Sequence, residues 1–302
     1  LIIIGIVIGI IILIAGYAFY EKTFNAPFLS DKALEDLKAT AAEQNELAFL
    51  QPLFQPAEYP ENSPLKNAYF GELHVHSSLS FDSYLFGNRL TIDQAYHFAK
   101  GTSMENATGE IMRLTRPLDF VAVTDHAETF GLHELCSDSD KSEATIEFCE
   151  RLERPNLNFF LELREIGEQR PMVDPMVLNE GKERARFFAN MTWDKIVSIA
   201  DEHNEPGIFT AFAAYEYSPV LPDSGKHHRN VIFRNNQVPK NALSGFDART
   251  EIDLWNMLKE ECVDPCEFLT IPHNPNRTWG LAFASHTIDG DAYTIDDWKQ
   301  RD

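Results

Sequence analysis

The stretch Tyr69-Phe-Gly-Glu-Leu-His-Val-His-Ser-Ser-Leu-Ser-Phe-Asp82 decides how this chain is read. His74 and His76 stand two apart, and residues two apart on a β-strand share a face, so both imidazoles point the same way. Asp82 follows after a Ser-rich turn. Imidazole nitrogen with carboxylate oxygen suits Zn, Mn or Fe, and neutral imidazole is available near neutral pH. A His-x-His pair alone fits two partly exposed strand histidines equally well, so the reading turns on what recurs downstream.

Donor residues do recur, each at the end of an apolar run. Pro117-Leu-Asp-Phe-Val-Ala-Val-Thr-Asp125-His126 ends in an Asp-His pair, and Ile208-Phe-Thr-Ala-Phe-Ala-Ala-Tyr-Glu216 ends in a carboxylate. His227-His228-Arg-Asn-Val-Ile-Phe-Arg234 opens a third run, and Phe268-Leu-Thr-Ile-Pro-His273 closes a fourth. Buried strands deliver ligands to the carboxyl edge of a sheet or barrel in this manner. Thr91 and Gln94 form a capping-box pattern for a helix to Lys100, closed by Gly101. Thr192 and Thr250 read as caps of helices over 193–204 and 251–261. Helices alternating with strands imply an α/β fold with a mainly parallel sheet, open or closed into a barrel.

With these residues on the page, the chain resembles the PHP (polymerase and histidinol phosphatase) superfamily. The ordered matches are His74-x-His76 with Asp82, Thr124-Asp125-His126, Glu216, His228 and Pro272-His273. The wording around them, Gly71-Glu-Leu-His-Val-His-Ser77, Arg116 to Glu128, and Arg229-Asn-Val-Ile-Phe-Arg234, is most similar to a bacterial branch known only as a domain of unknown function. The resemblance implies a distorted, seven-stranded βα barrel holding two or three divalent ions (Mn, Zn or Fe). It implies that His74, His76 and Glu216 hold one ion. Glu216 would bridge to a second ion held by His228 and His273, and Asp82 with His126 would serve a third.

The pattern departs from the family at the carboxyl end, where an Asp-x-His is expected and none follows His273. The domain over 66–302 is therefore expected to lack its last barrel elements. Asp201-Glu-His203 precedes Glu216, and Pro206 stops the chain there, so it reads as a solvated helix end.

Composition bounds the rest. The 302 residues are 44% hydrophobic, enough for one good core. Lys+Arg 26 against Asp+Glu 47 gives a net charge of -21, which repels phosphate backbones and argues against nucleic acid as a partner. A small anionic substrate is still compatible, because bound cations reverse the local field. Residues 1–20 carry no charge, and 20 helical residues span about 30 Å, so a transmembrane signal anchor is expected, with Gly16-Tyr-Ala18 as an alternative cleavage site. Residues 21–65 read as a connector, with a helix capped by Ser30 followed by Pro52, Pro56, Pro60 and Pro64. Four cysteines behind an export segment suggest two disulfides and a domain outside the cytoplasm; a zinc site or unpaired thiols are the rivals. A polar, Cys-bounded stretch at about 133–192 is too long for a plain βα connection and reads as a helical insertion or lid.

The chemistry expected of such a set is hydrolysis of a phosphoester by metal-activated water. Arg229 and Arg277 would clamp phosphoryl oxygens, unless they are strand-end arginines in ion pairs. Asp125 would orient an imidazole, and Tyr217 would line the pocket. A related hydrolase acting on amide or ester bonds, or a non-catalytic metal-dependent binding module of the cell envelope, are the alternatives. No Gly-x-Ser-x-Gly, Gly-x-Gly-x-x-Gly or phosphate-binding loop is present.

Overall fold

A computed structural model describes residues 14–27, 30–48, 68–169, 171–221 and 225–301. Ten strands occur among them: β1 (Gly71–Val75), β2 (Met104–Glu105), β3 (Ile111–Met112), β4 (Phe120–Val123), β5 (Thr210–Phe212), β6 (Ala214–Tyr217), β7 (Val220–Leu221), β8 (Gly225–Lys226), β9 (Arg229–Phe233) and β10 (Phe268–Pro272).

Strands β1, β4 and β5 form a parallel sheet in the order β1-β4-β5, while β10, β9 and β6 form an antiparallel one in the order β10-β9-β6. Only Ala213 separates β5 from β6, and its carbonyl still accepts from Phe233 N at 2.9 Å. One run of chain therefore ladders with β4 through its first half and with β9 through its second. A parallel bridge between His126 and Glu216 ties the two sheets at this seam.

The expected βα barrel is not what the chain forms. None of the sheets closes, and among the described residues no helix separates β5, β6 and β9. From β6 the chain returns through the β7–β8 hairpin instead of a helix, which sets β9 antiparallel to β6; β10 follows the helix Glu251–Glu261 and pairs antiparallel with β9 in turn. A two-residue pairing can turn the chain back, whereas a parallel neighbour needs a long crossover.

The expected transmembrane helix is corrected as well. No helix among the described residues is long and apolar enough to cross a membrane. Residues 14–20 are helical and run into a π-helical turn, Glu21–Asn25, which leans on the helix Leu157–Gly167. There Tyr20 Oη stands 3.5 Å from Asn158 Oδ1, and Asn156 Nδ2 donates to Asn25 O at 3.3 Å. Residues 1–13 and the Pro-rich lead-in at 51–67 lie outside the described residues.

Two capping expectations hold in detail. Thr91 and Gln94 close a capping box on Ile92–Ala99, and Thr250 with Asp253 does so on Glu251–Glu261. Thr192 is no cap. A single helix, Lys182–His203, runs straight through it, and its hydroxyl accepts from Gly131 N and donates to Glu134 Oε2 at 2.7 Å.

Strand alternation sorts the core. Val121, Val123, Tyr215, Val231 and Phe233 face the main cluster beneath the helices, with Trp193, Leu254 and Leu258. Ala122, Ala214 and Ile232 face the other way and pack with Leu73, Phe212 and Ile271. The insertion folds as helices Leu132–Ser137, Glu143–Glu153, Leu157–Gly167 and Pro175–Glu180, around Leu135, Leu152, Phe159 and Phe188. Disulfides Cys136–Cys149 and Cys262–Cys266 are both formed.

Candidate metal centre

Glu216 sits at the seam between the two sheets, and its side chain is 1% exposed. On β6 it shares a face with Ala214, while Tyr215 and Tyr217 point into the main core. His74 and His76 reach it from the end of β1, where the register against β4 shifts between Glu72 and Val75. That shift lets Leu73 pack on the small inner cluster and Val75 on the main core. A local break in pairing of this kind re-aims side chains. His126 arrives from the loop after β4, His228 from just before β9 and His273 from just after β10.

Five imidazoles thus surround one carboxylate. Glu216 Oε2 is 3.0 Å from His74 Nε2 and 2.8 Å from His76 Nε2. Glu216 Oε1 is 2.5 Å from His228 Nδ1, 3.0 Å from His273 Nε2 and 3.6 Å from His126 Nδ1. Asp82, in the short helix Phe81–Leu85, faces His76 Nδ1 at 3.4 Å and His126 Nε2 at 3.3 Å. All seven donors expected from the sequence therefore meet in one place. The sets within ligand range of one another are His74 with Glu216 and His273, His76 with Asp82 and His126, and His126 with Glu216 and His228. Glu216 stands in two of these sets; relative to the grouping the resemblance implies, His273 lies with His74 instead of His228, His76 lies with Asp82 and His126, and His126 also joins His228.

These donors fit divalent cations. His74 Nε2 and His76 Nε2 are 3.0 Å apart, and both lie against the same carboxylate oxygen. The three contacts cannot all be hydrogen bonds at once, because an imidazole nitrogen either donates or accepts, so at least one of them sets two like groups against each other. Ligand atoms about 2.1 Å from one ion and at right angles stand about 3 Å apart. His228 Nε2 and His273 Nδ1 are buried and have no hydrogen-bond partner among the described residues, which a native site rarely tolerates without a reason.

The electrostatics follow from the crowding. Burial opposes the charge on Glu216, but the field of His126 and the bonds from His228, His273 and His74 hold its carboxyl far below the usual range. Burial also works against a charged His76, yet Asp82 and Glu216 outweigh it and raise the ring to about 10. Burial lowers His228 to about 4 against the pull of Glu216. The carboxylates of Asp82 and Glu216 thus favour a proton on His76, which a cation taken up there would displace.

Other expected residues land elsewhere. Arg229 is 2% exposed and lies on the opposite side of β9, its guanidinium 4.9 Å from the Trp255 ring centre and near His227. Neighbours on a strand point to opposite faces, so a residue adjoining His228 cannot share its site. Among the described residues Asp125 has no direct hydrogen bond to an imidazole; it accepts from Ser77 N and Ser77 Oγ, each at 2.6 Å, and so fixes the turn after β1. Tyr217 donates to Ala248 O at 3.0 Å inside the core. Arg277 does line the cavity beside the donors. Asp201-Glu-His203 is not wholly solvated, since His203 is 7% exposed, stacks on Tyr96 and stands 2.9 Å from Asp93 Oδ1.

Ser218, Glu128 and Lys226 were not foreseen. Ser218 Oγ donates to Glu216 Oε1 at 3.1 Å and meets His126 Nδ1 at 2.5 Å. Its place two residues after Glu216 on a strand is the signal that would have found it. Glu128 Oε1 accepts from Ser218 N and Gly245 N at 3.0 and 2.6 Å, and burial pushes its carboxyl up. Lys226 lines the same cavity as Arg277.

The fold and site define an α/β domain that gathers metal-type donors around a central glutamate where two small sheets join. The chain belongs to the family described as "Protein of unknown function (DUF3604)", whose model matches residues 63–302. No curated protein and no solved structure matches it.

Proposed function

We propose that this domain is a metal-dependent hydrolase, most simply a phosphoesterase, that takes two or three Mn, Zn or Fe ions. The observation that carries the reading is the triangle of His74 Nε2, His76 Nε2 and Glu216 Oε2, with edges of 2.8 to 3.0 Å, within three donor sets of which two contain Glu216 and two contain His126. The resemblance to the PHP superfamily supports it. Bound there, the cations would lower the pKa of a water and stabilise charge on oxygens at phosphorus. The chain's own residues prepare the ground. Glu216 holds the sets together, Ser218 steadies Glu216 and His126, and Asp125 locks the turn that carries His76 into position. Lys226 and Arg277 place positive charge beside the donors in a chain of net charge -21, which favours a small anionic substrate over nucleic acid. The two disulfides favour a location outside the cytoplasm.

The test is metal content against activity. Protein reconstituted with Mn, Zn or Fe is expected to carry two or three ions per chain and to hydrolyse members of a phosphoester panel. His74→Ala and Glu216→Gln are expected to lose metal and turnover together. Failure of every one of these metals to bind would end the reading, and binding without turnover on phosphoester, amide and ester panels would favour a non-catalytic module.

A further inference from the structure

The donor cluster opens onto a cavity of about 380 Å³ whose two ends differ in chemistry. Asp82, His126, Ser218 and His228 line one end, with Lys226 and Arg277 beside them. The insertion lines the other end, mainly through Phe148, Phe160, Leu163 and Ile166, with the Arg164–Glu168 ion pair and Asp174 as its charged points. Phe81, next to Asp82 in sequence, joins the two, and its ring meets Phe159 edge-on at 6.3 Å. The insertion already has its own buried core, in which Leu152, Phe159 and Met176 are 3%, 1% and 7% exposed. Phe148, Phe160 and Leu163 pack on that core with one side and leave the other on the cavity.

A wall of this kind costs free energy while wet and regains it only when apolar surface covers it. A sugar phosphate or a free phosphate ion would occupy the polar end and leave the wall in water. The volume lies in the lower part of the range for small-molecule sites, enough for one compact body beside an anionic head. We propose that the substrate of this centre is a phosphate monoester of an apolar alcohol, aryl or alkyl. Its phosphate lies at the donor end with Lys226 and Arg277, and its apolar body lies against Phe148, Phe160 and Leu163. This rests on the hydrolase reading above. In the step it implies, a water oxygen bonds to phosphorus, the bond from phosphorus to the alcohol oxygen breaks, and a proton from the water ends on the departing alcohol.

The experiment compares Mn-reconstituted protein on 1-naphthyl phosphate, n-octyl phosphate and glycerol 2-phosphate. At least one apolar ester is expected to show kcat/KM tenfold or more above glycerol 2-phosphate, with the difference in KM. Leu163→Asp, and separately Phe160→Ser, are expected to bring that ratio down toward one, with thermal melts confirming that both variants fold. Turnover of glycerol 2-phosphate as good as that of both apolar esters would overturn the substrate class and leave the hydrolase reading standing. If none of the three esters is turned over, the wider phosphoester, amide and ester panels decide the hydrolase reading, and calorimetric titration with 1-naphthylmethylphosphonate decides the pocket. Binding at least tenfold tighter than methylphosphonate, lost in Leu163→Asp, upholds its selectivity, and equal or absent binding overturns it.

Discussion

Replacing Glu251 by Gln removes one charge and almost no volume from the polar network behind β9. Glu251 is 2% exposed at the first turn of its helix, accepts from the Tyr293 hydroxyl and stands 3.4 Å from His227 Nε2. His227 Nε2 in turn lies 3.4 Å from Arg229 Nη2. Burial opposes the carboxylate's charge, but His227, Tyr293 and Arg229 outweigh it and hold the group at about 2 instead of 4.5. Gln imitates the protonated form, so the substitution is expected to cost about 3 kcal/mol at pH 7. The sign is fixed by the direction of the shift. A carboxyl depressed in the folded state contributes fully above its unfolded pKa near 4.5 and loses that contribution as pH falls toward 2. Urea unfolding of both proteins in EDTA, at pH 7, 5, 4 and 3, should therefore show a gap that is constant at pH 7 and 5 and narrows below 4.5. A gap that stays the same down to pH 3, or none at pH 7, would refute the network's role.

Gly131→Ala is expected to destabilise by more than about 2 kcal/mol, because Gly131 has φ +90° and an added Cβ would lie 2.5 Å from Ala189 N, a backbone atom of the long helix; the urea midpoint reads it. Asp125→Asn should weaken Mn or Zn affinity about 10- to 100-fold with the ligands untouched, since it loosens the Ser77 turn after His76, and metal titration by calorimetry checks this. Replacing both Cys136 and Cys149 by Ala opens a loop with a sequence separation of 13 and should cost about 3 kcal/mol, seen as a lower thermal midpoint with metal content retained.

How much of this was legible beforehand depended on which physical rule was local. Six of the seven donors could be picked out because each stands at or beside an end of an apolar strand, and convergence at strand ends needs no knowledge of strand direction; Asp82 was found by its place shortly after His76. The capping boxes at Thr91 and Thr250 were legible for the same reason, being complete within four residues. Pairing direction is not local. Periodicity cannot tell that the chain turns back after Tyr217 through a hairpin of two-residue strands, so a parallel barrel was expected where β6, β9 and β10 are antiparallel. Arg229 was misplaced although the rule that excludes it, alternation with His228, was available. Thr192 resembled a cap only because the partners of its hydroxyl, Gly131 and Glu134, are distant in sequence.

Strand β9 runs between two polar systems on its opposite faces, one drawing on His228 and the other on Arg229 and His227. A slip of one residue would seat a guanidinium among the imidazoles and strand His228 beneath Trp255, ruining both at once. Correct threading of this strand is thus proofread from either side, and ion uptake would serve as a receipt that the whole seam has been assembled in register.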